Sequence, residues 1–285
     1  MHHFDYYSWL FTLSNSALLT VCFVSLGIVS AGASAVSAML ARLWPTRPGA
    51  NIIGTLLTGL LVPTAVIIGF ISSDIWTQNA RAEASVEREG IAAAEALRIL
   101  EALPAKLATP IQTALLVYAR SAVEDEWPAM AARQSSPQTA RAFAQLRESV
   151  WAARYDSTQQ ALRGTAPADV RRIDAPQHIA HEFDELEKRL DAIENARATR
   201  LQLAKRQLSG IKLAAMAWLL FTNAFVIAEL HRGAARERRI ALALFTAGFG
   251  MIFFLLVLHD RPFAGSVTIG ADALSTLLAC PPPGQ

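Results

Sequence analysis

The chain has 285 residues, of which 53% are hydrophobic and 18% are charged, and its formal net charge is +2. Soluble domains contain about 25% charged residues, so this composition favours a membrane protein. The chain has no basic stripe with interleaved aromatic residues, which argues against a nucleic-acid partner. Its two cysteines, Cys22 and Cys280, do not fit a disulfide framework or a metal knuckle.

Four apolar stretches are each long enough to cross a lipid bilayer, which takes about 20 mostly apolar residues. They cover residues 17–44, 52–76, 213–230 and 240–259. Ionisable residues occur only at the ends of these windows, and such residues are costly at the centre of a bilayer. The pattern predicts an all-α polytopic membrane protein with an N-terminal tail at 1–16, helix pairs at 17–76 and 211–259, an inserted extramembrane bundle at 77–210 and a C-terminal tail at 260–285.

The first apolar stretch has an alternative interpretation, because Ala33-Ser34-Ala35 resembles a signal-peptidase site. Two observations favour an uncleaved span. The first sixteen residues contain no Lys or Arg, and apolar residues continue past the site as far as Leu43.

Residues 77–210 carry 18 Lys and Arg and 18 Asp and Glu, and they are rich in Ala and Leu. We expect helices at 77–103, 110–132, 137–163 and 176–210, with a short turn at 167–173. A capping or small residue before a proline marks three helix starts, at Thr109-Pro110, Ser136-Pro137 and Ala166-Pro167. The first and last helices continue from the second span and into the third, so we expect them to pack side by side within the bundle.

Two polar clusters of this segment have more than one interpretation. Glu124-Asp125-Glu126 opposes the dipole of a helix that ends there, so it either pairs with arginines, such as Arg120, Arg133 or an Arg of a neighbouring helix, or forms a cation or effector site. The four side chains of the second cluster share one helix face, which could be a metal site or a solvated surface. They are His178, His181, Glu182 and Glu185. No nucleophile motif, phosphate-binding glycine loop or acid–base pair can be identified, so we predict neither an enzyme nor a cofactor.

The second span changes from polar to apolar along one side. Asn51, Thr55 and Thr58 come first, and Val62, Val66 and Phe70 follow at steps of four residues. Such a face could line a pore that narrows to a hydrophobic constriction, or it could pack against other helices. In the third span, Asn223 is a lone polar residue that we expect to form an interhelical hydrogen bond.

Two segments resemble those of bestrophins, a family of pentameric anion channels. The run from Val62 to Phe70 has the Pro and Gly-Phe spacing of the second bestrophin membrane helix, and residues 260–265 resemble the segment after the last one. Together with residues 126–128, nearly the whole chain resembles the bacterial bestrophin-like membrane proteins. The residues that carry the resemblance are Pro63, Gly69, Trp76, Glu126, Trp127, Pro128, Asp260, Pro262, Phe263 and Gly265.

The resemblance implies a homopentamer whose second helices surround a central axis, with Val62, Val66 and Phe70 as a hydrophobic neck and small anions as the permeating species. The basic residues on the two sides of the spans are nearly balanced in number, so charge does not decide the orientation. The resemblance implies an inner-membrane location with the termini and the bundle in the cytoplasm. The acidic cluster that binds calcium in animal bestrophins has no counterpart after Gly265, so neither calcium gating nor a bound metal is predicted.

The sequence leaves a second class of function open, a non-conducting membrane scaffold or sensor whose bundle binds a partner. An active transporter fits poorly, because no span has a central ionisable residue for coupling. Asp74, near the end of the second span, would disfavour anions at a pore mouth unless it is paired.

Overall fold

Helices make up nearly all of the chain that the structure describes, which comprises residues 8–44, 50–162, 175–206 and 208–279 of a computed structural model. A 3-10 turn at Ser8–Thr12 precedes the first helix, and a π-helical turn at Ala122–Glu126 joins α3 to α4. The α-helices are Asn15–Leu43 (α1), Ala50–Ala102 (α2), Ala105–Ser121 (α3), Trp127–Ala131 (α4), Pro137–Leu162 (α5), Ala175–Lys205 (α6), Gly210–Leu230 (α7), Ala235–His259 (α8) and Asp272–Ala279 (α9). The described residues contain no strand, so the all-α prediction is confirmed.

The four predicted spans lie in α1, the first part of α2, α7 and α8. Each of these helices contains an 18-residue window that is apolar enough to cross a membrane. The chain is therefore a polytopic membrane protein with a helical segment inserted between its second and third spans, as predicted. α1 runs unbroken through Ala33-Ser34-Ala35 and buries Ala33 completely.

The first of two compact units, here called the membrane unit, comprises residues 1–79, 207–261 and 265–268. α1 packs against both α7 and α8, and the core includes Leu26, Ala33, Ile68, Ile71, Ile75, Met216, Leu220, Ala224, Leu242 and Phe245. Polar contacts also join the helices. The hydroxyls of Ser30 and Thr246 lie 2.9 Å apart, and Asn223 Nδ2 donates to Thr64 Oγ1 at 2.8 Å, which confirms the interhelical bond predicted for Asn223.

The second compact unit, here called the bundle unit, comprises residues 80–206, 262–264 and 269–285. α3 packs along α5, and α6 packs against α5. The core is formed by apolar side chains that include Ala93, Leu100, Ile111, Leu115, Phe143, Leu146, Val150, Phe183, Leu186, Ile193 and Leu274. Ion pairs join α6 to α2, Arg200 to Glu89 at 2.7 Å and Arg189 to Glu95 at 3.0 Å, so the predicted side-by-side packing of these helices is confirmed.

The prediction that a helix at 176–210 continues into the third span is wrong, because α6 ends at Lys205 and α7 begins at Gly210. Ser209 caps α7 by accepting a hydrogen bond from the Lys212 N–H at 3.3 Å. The Leu208 N–H donates to the Asp260 carboxylate at 3.1 Å. These side chains bind N–H groups that have no partner at a helix start, and they stabilise the break.

The predicted helix at 110–132 has a different start and an interruption. α3 begins at Ala105, and Pro110 lies inside it, where the missing N–H removes one helical hydrogen bond. Ala108, on the turn before the proline, is buried with Ile111 and Leu115. Packing of this apolar face outweighs the lost bond, so α3 starts earlier than the proline indicates.

Of the two remaining predicted helix starts, the structure describes only the one at Ser136-Pro137. Ser136 caps α5, since its Oγ accepts the Thr139 N–H at 3.3 Å, as predicted. The turn at 167–173, Ala166-Pro167 and Cys280 lie outside the described residues. The predicted boundaries of the tails and of the two helix pairs stay predictions.

Candidate functional site

One side of α2 presents large apolar side chains outside the core of the membrane unit. Val62, Val66 and Phe70 are 59%, 50% and 73% exposed. They recur every four residues and so follow one side of the helix, whereas Thr64 and Ile68 on the other side are buried. The three predicted neck residues thus lie together on one uncovered surface, here called the α2 face.

Hydroxyl groups precede the α2 face along the same helix. Thr55 and Thr58 are exposed, and Thr58 Oγ1 donates to the Gly54 carbonyl at 3.2 Å. A hydroxyl that donates within its own helix keeps lone pairs for water. The side chain of Asn51, the third predicted polar residue, lies outside the described part of the chain.

Pro63 and Gly69, two of the residues that carry the resemblance to bestrophins, lie on the exposed side of α2. Pro63 has no N–H, so α2 lacks the hydrogen bond to the Gly59 carbonyl. A Cβ added at Gly69 meets no atom within 4 Å, so packing within this protomer does not require glycine there. Gly69 also borders a cavity of ≈ 370 Å³ between α2 and α8, lined mostly by apolar residues that include Ala65, Ile68, Ile75, Trp76, Phe249 and Leu256.

An ion pair lies just beyond the α2 face. The Lys212 Nζ of α7 lies 2.8 Å from the Asp74 Oδ2 of α2, and both side chains are nearly half exposed. Trp76 follows on α2 and is largely exposed. Asn79, one turn further, donates through Nδ2 to the His259 carbonyl at 2.7 Å, which ties α2 to the end of α8.

The bundle unit contains a buried network of charges around the π-helical turn. Arg200 donates to both oxygens of Glu89, at 2.7 and 3.0 Å, and to Glu126 Oε2 at 3.0 Å. Arg197 donates to both oxygens of Glu126, at 3.0 and 2.6 Å. The Tyr118 hydroxyl donates to Glu89 Oε1 at 2.6 Å. The pairing predicted for the acidic run with an Arg of a neighbouring helix is therefore confirmed for Glu126.

The network holds its groups in defined protonation states. Burial opposes the charge of Arg200, but Glu89 and Glu126 more than offset this effect, so the pKa of its guanidinium is raised. Burial, and then the negative charge of Glu89, raise the pKa of Tyr118 well above its usual range. Arg200 therefore stays charged and Tyr118 stays a neutral donor, which gives a structural role rather than an open effector site.

The other residues of the 126–128 segment contact the C-terminal part of the bundle unit. Trp127 Nε1 donates to the Ile269 carbonyl at 3.1 Å, and the Trp127 ring meets Phe263 edge to face at 6.2 Å between centroids. The Arg200 guanidinium lies 4.4 Å from the centroid of the Trp127 ring. Pro128 occupies the first turn of α4, and the Pro262 carbonyl accepts the Ile269 N–H at 2.9 Å.

Asp260 and Gly265 shape the chain after α8 in the membrane unit. Asp260 is buried and accepts the Leu208 N–H. Gly265 has a φ of +95°, a conformation that L side chains rarely adopt, so glycine is favoured at this turn.

The chain matches the model of the bestrophin-like domain over residues 23–274. This chain belongs to the bestrophin-like family. Three crystal structures of a bacterial bestrophin homologue from Klebsiella pneumoniae are similar to it. One has a TM-score of 0.61 at 11% identity and covers 91% of this chain and 96% of its own. The others have TM-scores of 0.59 and 0.60 at 13% and 12% identity, each covering 90% of this chain and 95% of its own.

At these identities the structural likeness shows the fold alone. No curated protein matches the chain in sequence. The predicted resemblance to bestrophins is confirmed at the level of the family.

The side chains of the His178 face of this bestrophin-like protein make polar contacts in the structure. His178 Nδ1 lies 3.3 Å from Glu182 Oε1, and Glu185 Oε1 lies 2.6 Å from Lys188 Nζ. Among the described residues, no three His, Cys, Asp or Glu side chains gather as a metal site. The arrangement corresponds to a solvated polar surface.

Sequence reasoning missed Glu89, Arg197 and Arg200 as members of the buried network. The sequence contained a signal for two of these residues, Glu89 and Arg200. Glu89 falls on the buried side of α2 with Ala82 and Val86, and Arg200 falls on the buried side of α6 with Leu203. A charged residue in the register of an apolar face indicates a buried pair.

Proposed function

We propose that this bestrophin-like protein is a homo-oligomeric membrane channel that conducts small anions, such as chloride, passively through a hydrophobic neck. Val62, Val66 and Phe70 form this neck, and Thr55 and Thr58, with Asn51, form a polar entrance. The α2 face is the observation that carries the proposal, because three large apolar side chains lie uncovered on it. The resemblance to bestrophins supports a pentamer with α2 around the axis.

The surroundings of the α2 face along the chain are those expected of a pore. Within a membrane span, an exposed apolar face contacts either lipid or other copies of the chain. The α2 face has exposed hydroxyls before it and the Asp74–Lys212 pair after it. This order suits a passage that is wet at both ends and narrows between them.

A neck of this kind controls conduction by wetting. Val and Phe side chains offer no hydrogen bonds to a hydrated ion, so a narrow ring of them excludes water and ions until it widens. The neck makes no ion-specific contact. The channel therefore needs neither a cofactor nor a catalytic residue, and passive flow follows the electrochemical gradient.

The proposal includes a location. The bestrophin resemblance supports an inner-membrane protein with its termini and bundle in the cytoplasm. Cysteine labelling at a residue in 231–238 tests this orientation, since accessibility from the cytoplasm alone would contradict it.

Chloride flux from liposomes that contain the purified protein tests conduction. We expect flux from the wild type and a several-fold increase for Phe70→Ala, because a smaller side chain weakens the barrier to wetting. Leu244→Ala on α8 is the matched control, since Leu244 is 70% exposed and lies outside the α2 face. Equal flux from Phe70→Ala and the wild type, with oligomers intact by light scattering, would contradict the neck.

The alternative function is a non-conducting membrane scaffold or sensor. Two aromatic side chains on α5, Trp151 and Tyr155, are each 65% exposed and border an open groove of ≈ 560 Å³ along α6. Exposed aromatic residues are typical of sites that bind a partner. A wild type without flux, together with a change in stability alone for Phe70→Ala, would favour this function.

A further inference from the structure

Asp74 is the only ionisable residue of α2 between positions 50 and 80. It lies four residues after Phe70, which places it about 6 Å further along the helix axis. Its carboxylate pairs with Lys212, which extends from the first turn of α7. The negative charge of Asp74 and the positive charge of Lys212 thus lie side by side, one helical turn beyond the α2 face.

The Asp74–Lys212 pair contributes little to the stability of the fold. Ion pairs between side chains that are about half exposed contribute little to stability. α2 and α7 are also joined by buried contacts, among them the bond between Thr64 and Asn223 and the packing of Ile68 and Ile71 in the core that contains Met216. Its main physical effect is therefore on the local electric field.

We infer that the Asp74–Lys212 pair sets the charge selectivity of the channel at the mouth of the neck. The inference rests on the proposed function. In an oligomer the position is repeated in every subunit, so any net charge on the pair becomes a ring of charges. Acidic rings favour cations and basic rings favour anions, and the intact pair keeps this ring neutral.

The neutral ring accounts for how a carboxylate can lie beside an anion path. The negative charge of Asp74 would repel anions, and the ammonium of Lys212 at 2.8 Å cancels this field a short distance away. The long, flexible stem of lysine lets the ammonium stay with the carboxylate without a rigid frame. The pair therefore removes a barrier to anions.

Reversal potentials under a salt gradient in planar bilayers test the inference. Lys212→Gln removes one positive charge from each subunit, and we expect the chloride-to-sodium permeability ratio to fall about three- to tenfold. Asp74→Asn leaves a net positive charge, and we expect the ratio to rise by a similar factor. The double variant is neutral again and is expected to return to within about twofold of the wild type.

Two controls separate this role from a structural one. Asp184→Asn removes a comparably exposed partner of Arg154 in the bundle unit and is expected to leave the ratio unchanged. Both single shifts are expected to shrink at 1 M salt, where the screening length falls to about 3 Å. Loss of structure cannot produce shifts of opposite sign from the two partners of one pair.

The outcomes also separate the inference from the function on which it rests. A conducting wild type whose permeability ratio is the same in both single variants would overturn the inference and leave the channel intact. Shifts of the same sign in both variants would overturn it as well. A folded, oligomeric wild type that carries no current would overturn the proposed channel itself.

Discussion

The two compact units bury polar groups of different kinds. The bundle unit encloses formal charges, since Glu89, Glu126 and Arg200 are fully buried. In the membrane unit, the buried polar groups shared between the spans are neutral, such as the amide of Asn223 and the hydroxyl of Thr64, whereas its buried charged residues, Asp260 and Arg261, lie beyond the end of α8. Among the described residues, the bundle unit thus buries charged groups between its helices, whereas the spans of the membrane unit bury neutral polar groups.

The difference follows from the surroundings of each unit. In the bundle unit, each buried charge has an opposite charge within hydrogen-bonding distance, and Arg197 links the network toward the surface. In a membrane span no water stabilises a charge when the partner moves away, so an isolated charge is costly. A neutral amide that loses its partner costs much less, and interhelical bonds of this type are correspondingly modest.

The largest expected effect comes from Arg200→Met. The substitution leaves the carboxylates of Glu89 and Glu126 buried without this partner, and we expect a loss of about 3–5 kcal/mol in the free energy of unfolding. Melting in detergent measures the effect. Arg154→Met, in an exposed pair with Asp184, is the control and is expected to cost less than about 1 kcal/mol. Equal losses from the two variants would contradict the comparison.

Tyr118→Phe tests a neutral donor that bonds to a buried charge. Removing the hydroxyl that donates to Glu89 is expected to cost about 1–2 kcal/mol. The raised pKa of Tyr118 also adds a pH effect. The folded protein keeps this proton above about pH 10, where the unfolded chain loses it, so stability falls as the pH rises further.

The alkaline loss assigned to Tyr118 can be isolated by comparison. We expect the melting temperature of Tyr118→Phe to depend less on pH above pH 10 than that of the wild type. Tyr155→Phe, at an exposed tyrosine of α5, is the matched control and is expected to follow the wild type. Parallel curves for all three proteins would show that Tyr118 does not titrate differently on unfolding.

The smallest expected effect comes from Asn223→Val in the membrane unit. Loss of the bond to Thr64 is expected to cost about 0.6 kcal/mol, the usual size for a polar contact between membrane helices. Thr222→Val is the control, because the Thr222 hydroxyl donates to Trp218 within the same helix. A loss for Asn223→Val as large as that for Arg200→Met would remove the distinction between the two units.

Local sequence signals predicted the spans well and the helix ends less well. The apolar windows located all four spans, because the requirement for length and absence of charge is strict in a bilayer. The start of α3 and the gap between α6 and α7 were mispredicted. Pro110 is tolerated because Ala108 is buried, and the break before Gly210 depends on Asp260, which is distant in sequence.

In the candidate site, too, local spacing was predictable from the sequence and contacts between helices were not. The spacing of Val62, Val66 and Phe70 placed them on one side of α2, and the exposure of that side in the protomer needed the packing of the other helices. The pairing of Asp74 with Lys212 could not be read from residues that are 138 positions apart. Glu126 was singled out, but its partners on α6 were not identified.

The sequence by itself determined the membrane class, the helical composition and the bestrophin-like family of this protein. These properties follow from apolar length, helix-forming composition and short motifs, all of which are local along the chain. Tertiary structure alone decided which charges are buried together, which side of α2 stays uncovered and which lysine neutralises Asp74. Those properties depend on contacts between helices distant in sequence, and such contacts form only when the helices pack.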